Sequence, residues 1–185
     1  KRLKGEAYGL RAWYYFTLLQ AHAGKGANGE MLGVPIVDHV LDPSNPEDYE
    51  IPRSSFNELV EFILTDCDSA IALLPDRYLD IGDSYNKLGY GSDFTNRING
   101  LAVRLIKTKT LLYAASPAYE EGSSHTYQQA AESAVEIMNL NGGLSNITLI
   151  NQGHLQFYSN KDVAEDNAHP VVFWYSSRRN NNAWE

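Results

Sequence analysis

Trp184 follows three amides, Asn180, Asn181 and Asn182, which are themselves preceded by Arg178 and Arg179. An indole stacks on the apolar C–H face of a sugar ring. Carboxamides bond hydroxyl groups as donors and as acceptors, and guanidinium groups add planar forks of donors. The alternative is a loop tryptophan tucked beneath a following segment, and both readings stand on these residues. Just upstream, residues 171–176 (VVFWYS) read as a strand. Trp174 and Tyr175 are consecutive there and face opposite sides. That points Trp174 to the core and leaves Tyr175 as a further ligand contact.

A second group of rings, Tyr78, Tyr85 and Tyr90, lies in a long polar loop over residues 76–96. Binding residues concentrate in loops, so Tyr85 and Tyr90 join the candidate ligand contacts, against the alternative that they cover the helices. Asp80, Asp83, Asn86 and Asp93 of the same loop offer the oxygen donors that Ca²⁺ takes, but not in the spacing of an EF-hand. A solvated acidic loop is the expectation, with no cofactor and with calcium as the one ion the loop would suit. Trp13, Tyr14, Tyr15 and Phe16 are consecutive on a helix and point in different directions, which suits core packing better than a flat stacking platform.

Catalysis finds little support. Glu58, Glu61, Asp66 and Asp68 read as helix-surface acids. His22, His39, His125, His154 and His169 show no metal-ligand spacing, and there is no Gly-x-Ser-x-Gly elbow. Cys67, the one cysteine, sits on the apolar face of a helix and reads as a small hydrophobe. With formal charge −8 and 15 scattered basic residues in 185, the chain lacks the cationic patch of a nucleic-acid binder. No apolar run reaches 18 residues, so no helical bilayer span is expected.

The elements that would position these residues are mainly helices. Residues 3–23 form the first, with Leu3, Ala7, Leu10, Tyr14, Leu18 and Ala21 as one apolar face, Trp13, Tyr15, Phe16 and Leu19 as another, and Gly24 as its C-cap. Residues 24–53 read as irregular, with GVPIV (33–37) a short extended piece. Ser55 and Glu58 form a capping box for a second helix whose stripe is Phe56, Leu59, Val60, Ile63, Cys67, Ala70, Ile71 and Leu74, ended by Pro75. A third helix is expected over residues 99–115 and a fourth over 127–140. Shifting the first helix by 93 positions lays Arg11, Thr17, Leu18, Leu19 and Ala21 on Arg104, Thr110, Leu111, Leu112 and Ala114. This echo suggests two helix pairs stacked as in a degenerate repeat array. The chain opens on Lys1 inside a helix and closes on a polar loop, as an internal stretch of a longer protein would.

Four blocks in this order and spacing, GEAYGLRAWYYFTLL, GVPIV, PRSSFNELVEFILTDCDSAIALLP and INGLAVRLIKTKTLLYAASP, resemble the SusD/RagB family of nutrient-binding outer-membrane lipoproteins of Bacteroidetes. The resemblance implies a mainly α fold of tetratricopeptide-like helix pairs, an α-α superhelix, with long irregular loops and a short C-terminal strand region. Within one SusD-like domain, residues 1–150 would be the helical scaffold and 151–185 the start of an irregular ligand-binding part. It implies a non-enzymatic, outward-facing outer-membrane protein that captures oligo- or polysaccharide and delivers it to a SusC-like TonB-dependent transporter. Its membrane contact would be a lipid anchor on a cysteine that is not Cys67. It also makes GVPIV a scaffold signature. A peptide-capturing RagB-like protein and an α-solenoid scaffold with no small ligand are the alternative functions.

Overall fold

The computed structural model describes residues 1–78, 81, 94 and 97–143. Four helices carry the fold: α1 (Arg2–His22), α2 (Phe56–Ile71), α3 (Gly100–Ala114) and α4 (Tyr127–Leu140). α2 packs against α1 on one side and α3 on the other, α1 also touches α3, and α4 lies on α3. The architecture is thus mainly helical and built of helix pairs, as expected.

Each of the last three helices starts where a side chain accepts an orphan backbone N–H. Ser55 and Glu58 form the expected capping box of α2. Asn99 Oδ1 takes the Ala102 N–H at the head of α3. Thr126 and Gln129 form a second capping box at α4, an S/T-x-x-E/Q signal present in the sequence and missed by the reading above. Arg53 closes the other end of α1, with Nη2 donating to the His22 carbonyl at 2.8 Å and Nε to the Gly33 carbonyl at 2.7 Å.

α2 buries the stripe its periodicity announces. Phe56, Leu59, Val60, Ile63, Cys67, Ala70 and Leu74 are all buried, and Ile71 packs at the edge. α1 follows only one of its two expected faces: Tyr15, Phe16 and Leu19 of the second are buried, while most of the first is not. Leu3 is 67% exposed and Tyr14 60%, and Ala7, Leu18 and Ala21 are exposed as well. The face it turns inward is Gly5, Gly9, Ala12, Phe16 and Leu19. Small residues are what let the neighbouring helices come close. A Cβ on Gly9 would lie 2.9 Å from Val103 Cγ2 and 3.0 Å from Ile98 Cδ1, and one on Gly5 2.9 Å from Leu73 Cβ. Hydropathy counts large apolar residues, so it found Tyr15, Phe16 and Leu19 but passed over the small inward residues Gly5, Gly9 and Ala12.

Gly24 is not a C-cap. Ala23 caps α1 in an extended conformation, and Gly24 begins a two-residue strand, β1 (Gly24–Lys25), antiparallel to β2 (Met31–Leu32). The connecting turn needs Gly29 at φ +81°, and Asn28-Gly29 is a hairpin signal inside a segment the periodicity left irregular. GVPIV then runs on in extended form. The Gly33 N–H donates to the Ser54 carbonyl at 2.8 Å and the Ser54 N–H to the Val34 carbonyl at 3.3 Å.

The internal echo is partly real. Arg11 and Arg104 each reach a carboxylate on the partner helix, Asp66 of α2 and Glu136 of α4. Thr17 and Thr110 each donate to the carbonyl four residues back. The apolar positions are exchanged, however. Leu19 is buried where Leu112 is exposed, and Leu111 is buried where Leu18 is exposed. The two helices therefore turn different faces inward, and the pairs are not superposable copies.

Candidate functional site

The residues singled out as ligand contacts, Trp184, Asn180, Asn182, Arg178, Tyr175, Tyr85 and Tyr90, lie outside the described residues. So do Asn181, Arg179, Trp174, the proposed strand at 171–176, the boundary at residue 150, and Asp80, Asp83, Asn86 and Asp93. What the structure does show is how the scaffold holds the two ends of the 76–96 loop.

Glu6 is the centre of that hold. It is buried in the first turns of α1, where its Oε2 accepts from Arg97 Nη1 at 2.7 Å and its Oε1 from Arg2 Nη1 at 2.9 Å. The Tyr78 hydroxyl lies 3.1 Å from both Glu6 Oε1 and the Ile98 carbonyl, sharing its one proton between them. Burial, and then the charge of Glu6, push that hydroxyl well above the ordinary tyrosine range. Arg2 and Arg97 both lie over the Phe94 ring, 4.6 and 5.6 Å from its centroid. Tyr78 enters the loop and Arg97 leaves it, so one carboxylate ties both ends to α1. Backbone bonds continue the tie, the Gly100 N–H donating to the Pro75 carbonyl at 2.7 Å.

Tyr78 is therefore a core residue, as one of its two readings held. Tyr15 and Phe16 are buried too. The Tyr15 hydroxyl accepts from the Val37 N–H at 2.7 Å and thereby fastens GVPIV to α1. Trp13 and Tyr14 are the exposed half of the aromatic run. Their rings, 5.0 Å apart, are tilted by 45°, which is not a flat platform. Cys67 is fully buried, and desolvation pushes its thiol up to about 12, as an inert core thiol requires.

The acids of α2 divide. Glu58 belongs to the capping box, and its bond from the Ser55 hydroxyl holds its carboxyl below the ordinary range. Asp66 is not a surface acid. It is buried and gripped by Arg11 through two hydrogen bonds. His125 also departs from a surface reading, with its side chain 7% exposed. His22 and His39 are exposed; the bond to Asp38 raises His39 above the ordinary imidazole value. His154 and His169 lie outside the described residues. Among the described residues no three metal donors gather.

This arrangement, with Gly5, Glu6, Gly9, Arg11 and Ala12 all committed to packing or pairing, accounts for the GEA-x-x-LRA block as a structural motif. Residues 1–87 match a SusD-like family described as starch-binding and associating with the outer membrane. A solved SusD-like protein from Bacteroides fragilis superposes with a TM-score of 0.51 over 74% of this chain, at 29% sequence identity. The chain is thus similar to SusD-like proteins. It spans about a fifth of that relative's length, 20% by the alignment. No curated protein matches it. GVPIV is fastened to α1 and to Ser54 as a scaffold piece, as the resemblance implied, and no helix among the described residues is long and apolar enough to cross a membrane.

Proposed function

We propose that this SusD-like chain belongs to an outer-membrane, cell-surface protein that binds glycan without chemically altering it. The match of residues 1–87 to a family described as starch-binding and associating with the outer membrane carries this reading. The scaffold chemistry supports it. The motif residues hold the roots of a tyrosine-bearing loop, and a rigid mount for a recognition loop is what a capture protein needs. Tyr85 and Tyr90 would offer stacking faces there, and Trp184 with Asn180, Asn182, Arg178 and Tyr175 would form a second contact region.

The bound glycan would be handed to a SusC-like TonB-dependent transporter, and a lipid anchor on a cysteine other than the buried Cys67 would hold the protein at the membrane. Handover calls for modest affinity, since the ligand must leave as well as arrive.

The test is isothermal titration of the whole protein with soluble starch, other soluble polysaccharides and oligopeptides. Saturable heat with a glycan, weakened at least several-fold by Trp184→Ala or by Tyr85→Ala with Tyr90→Ala, is the expected result. Binding of oligopeptides alone would replace the glycan reading with peptide capture. No binding to either would leave a scaffold.

A further inference from the structure

Asparagine is followed by glycine at Asn28, Asn99 and Asn141. In this pairing the backbone nitrogen of the glycine can reach the asparagine side-chain carbonyl, because no Cβ on the following residue stands in the way. The sequence alone makes the three steps equally reactive. The fold does not.

Asn99 is 5% exposed and caps α3, with its Oδ1 taking the Ala102 N–H at 2.9 Å. The Gly100 N–H donates to the Pro75 carbonyl at 2.7 Å, and Gly100 is crowded, an added Cβ lying 2.8 Å from Asp76 Oδ1. Asn141 is 8% exposed and its Oδ1 accepts from Arg77 Nη2. The Gly142 N–H donates to the Asn139 carbonyl at 3.3 Å. Both side chains are therefore pinned, and both glycine nitrogens are engaged.

Asn28 sits at the tip of the β1–β2 hairpin, exposed together with Ala27, Gly29 and Glu30. Its carboxamide holds no hydrogen bond among the described residues. The space around Gly29 is open, with nothing within 4 Å of an added Cβ. One bond restrains the nucleophile, from the Gly29 N–H to the Gly26 carbonyl at 3.0 Å. It lies at the end of strands two residues long, and short exposed elements of this kind open locally at little cost.

We propose that Asn28 is a site of spontaneous deamidation in the folded protein, with water as the co-reactant. The Gly29 nitrogen bonds to Asn28 Cγ as the Cγ–Nδ2 bond breaks. Nδ2 leaves as ammonia, carrying the proton that the Gly29 nitrogen gives up, and a five-membered imide remains. Water then adds to one of the two ring carbonyls and cleaves its bond to the Gly29 nitrogen. Cleavage at Cγ gives aspartate, and cleavage at the main-chain carbonyl gives isoaspartate. No electrons are exchanged with an outside partner. Isoaspartate routes the main chain through Cγ and lengthens the turn by one atom. The turn now closes with Gly26 N–H on the Glu30 carbonyl at 2.8 Å and Gly29 at φ +81°, and the longer chain cannot keep both bonds in register. The hairpin whose Lys25 pairs with Glu121 and whose Met31 packs on Gly122 is loosened as a result.

The experiment is to age the full chain at 37 °C and pH 7.5 in H₂¹⁸O, folded and in parallel in concentrated urea, and to map the peptides by mass spectrometry. Oxygen-18 in the new carboxylate marks conversion during ageing and excludes conversion during digestion. Each hydrogen bond that must open first lowers the reactive population by about two- to tenfold. In the folded chain Asn28 is therefore expected to convert at least about tenfold faster than Asn99 or Asn141, each of which must break one more bond and its packing besides. In urea the three should convert at rates within a few-fold of one another. The aged folded chain should also exchange the Gly26 and Gly29 amide hydrogens faster than Asn28→Asp, which has the new charge without the extra backbone atom. An Asn28 that converts in urea and stays intact in the folded chain would show that the hairpin protects it and would overturn the proposal. Equal rates at the three sites in the folded chain would overturn it as well, and equal amide exchange in the aged chain and Asn28→Asp would remove the loosening of the turn.

Discussion

Arg11 of α1 holds Asp66 of α2 in a two-pronged grip, Nε to Oδ2 at 2.6 Å and Nη2 to Oδ1 at 2.7 Å. The guanidinium also lies 4.8 Å from the Phe62 ring centroid, and the bond to Asp66 raises its already high pKa. The Asp66 side chain is only 3% exposed, while a third of the Arg11 side chain meets water.

That asymmetry decides what each substitution does. Arg11→Ala leaves a carboxylate buried without its partner. Its expected cost is about 3 kcal/mol, the low end for breaking a buried pair, because water reaches part of the site. Arg11→Lys keeps the charge but cannot make the fork and recovers less than half. Replacing both residues by apolar ones of similar size recovers most of the stability. Urea denaturation of the three variants checks the order. A double variant no more stable than Arg11→Ala would show that the pair is not what the site depends on.

Gly9→Ala tests the close approach of α1 to α3. Alanine is the better helix former by about 1 kcal/mol, so on propensity alone the change should stabilise. The new methyl would meet Val103 Cγ2 at 2.9 Å and Ile98 Cδ1 at 3.0 Å, and overpacking of this kind costs about 1–3 kcal/mol. The expected net effect is a Tm lowered by several degrees. Gly24→Ala, with open space around the added carbon, is expected to be neutral. A rise in Tm for Gly9→Ala would mean that the helices separate freely there.

The same contact explains what was and was not legible in the sequence. The stripe of α2 was legible because its inward residues are large and apolar and recur at helical spacing, and its start because Ser55 and Glu58 are a local signal. The inward face of α1 was legible only at Tyr15, Phe16 and Leu19; the rest is lined by Gly5, Gly9 and Ala12, whose role is to be small and which carry little hydropathic weight. Helix pairing was read correctly from the echo of Arg11 in Arg104, while the exchanged burial of Leu18, Leu19, Leu111 and Leu112 depends on contacts no single-helix pattern reports. The loop clamp was out of reach for another reason. Glu6 finds Tyr78 and Arg97 across 72 and 91 residues of sequence, and only the fold brings them together. The ligand residues predicted from chemistry, Trp184 foremost, lie outside the described residues.

Cys67 predicts an alkaline dependence. Its thiol is raised from an ordinary value near 9.0 to about 12, chiefly by burial, with Asp68 adding to the rise. A group raised on folding contributes stability that is complete below its unfolded pKa and is lost as pH climbs towards the folded one. The contribution is therefore intact below pH about 9 and falls between there and about 12, with a limiting slope of about 1.4 kcal/mol per pH unit. Cys67→Ala, which cannot ionise, should lower stability at neutral pH by leaving a small cavity yet flatten that alkaline slope. Thermal melts of both proteins from pH 8 to 10.5 check this. Thiol reagents should label the native chain only as fast as it opens, and rapid labelling below the unfolding transition would contradict the burial.

The clamp on the 76–96 loop gives the prediction closest to function. Glu6→Gln removes the charge that Arg2 and Arg97 share and weakens the bond to Tyr78, with partners left buried or half-buried. A charge-assisted hydrogen bond contributes about 1.5–3 kcal/mol, so a loss of that order in global stability is expected. Tyr78→Phe keeps the packing and loses only the hydroxyl, for about 1 kcal/mol. If the clamp exists to fix the loop, the two variants should accelerate limited proteolysis within residues 79–96 by more than their loss of global stability explains. They should also weaken glycan binding several-fold with the ligand contacts themselves intact. Arg11→Ala, of comparable cost but at the far side of α1, serves as the control, because it destabilises the helix pair without touching the loop roots. Equal loss of glycan affinity in Arg11→Ala and Glu6→Gln would make the effect one of general stability. Loss confined to Glu6→Gln and Tyr78→Phe would make Glu6 the residue through which the scaffold positions the loop.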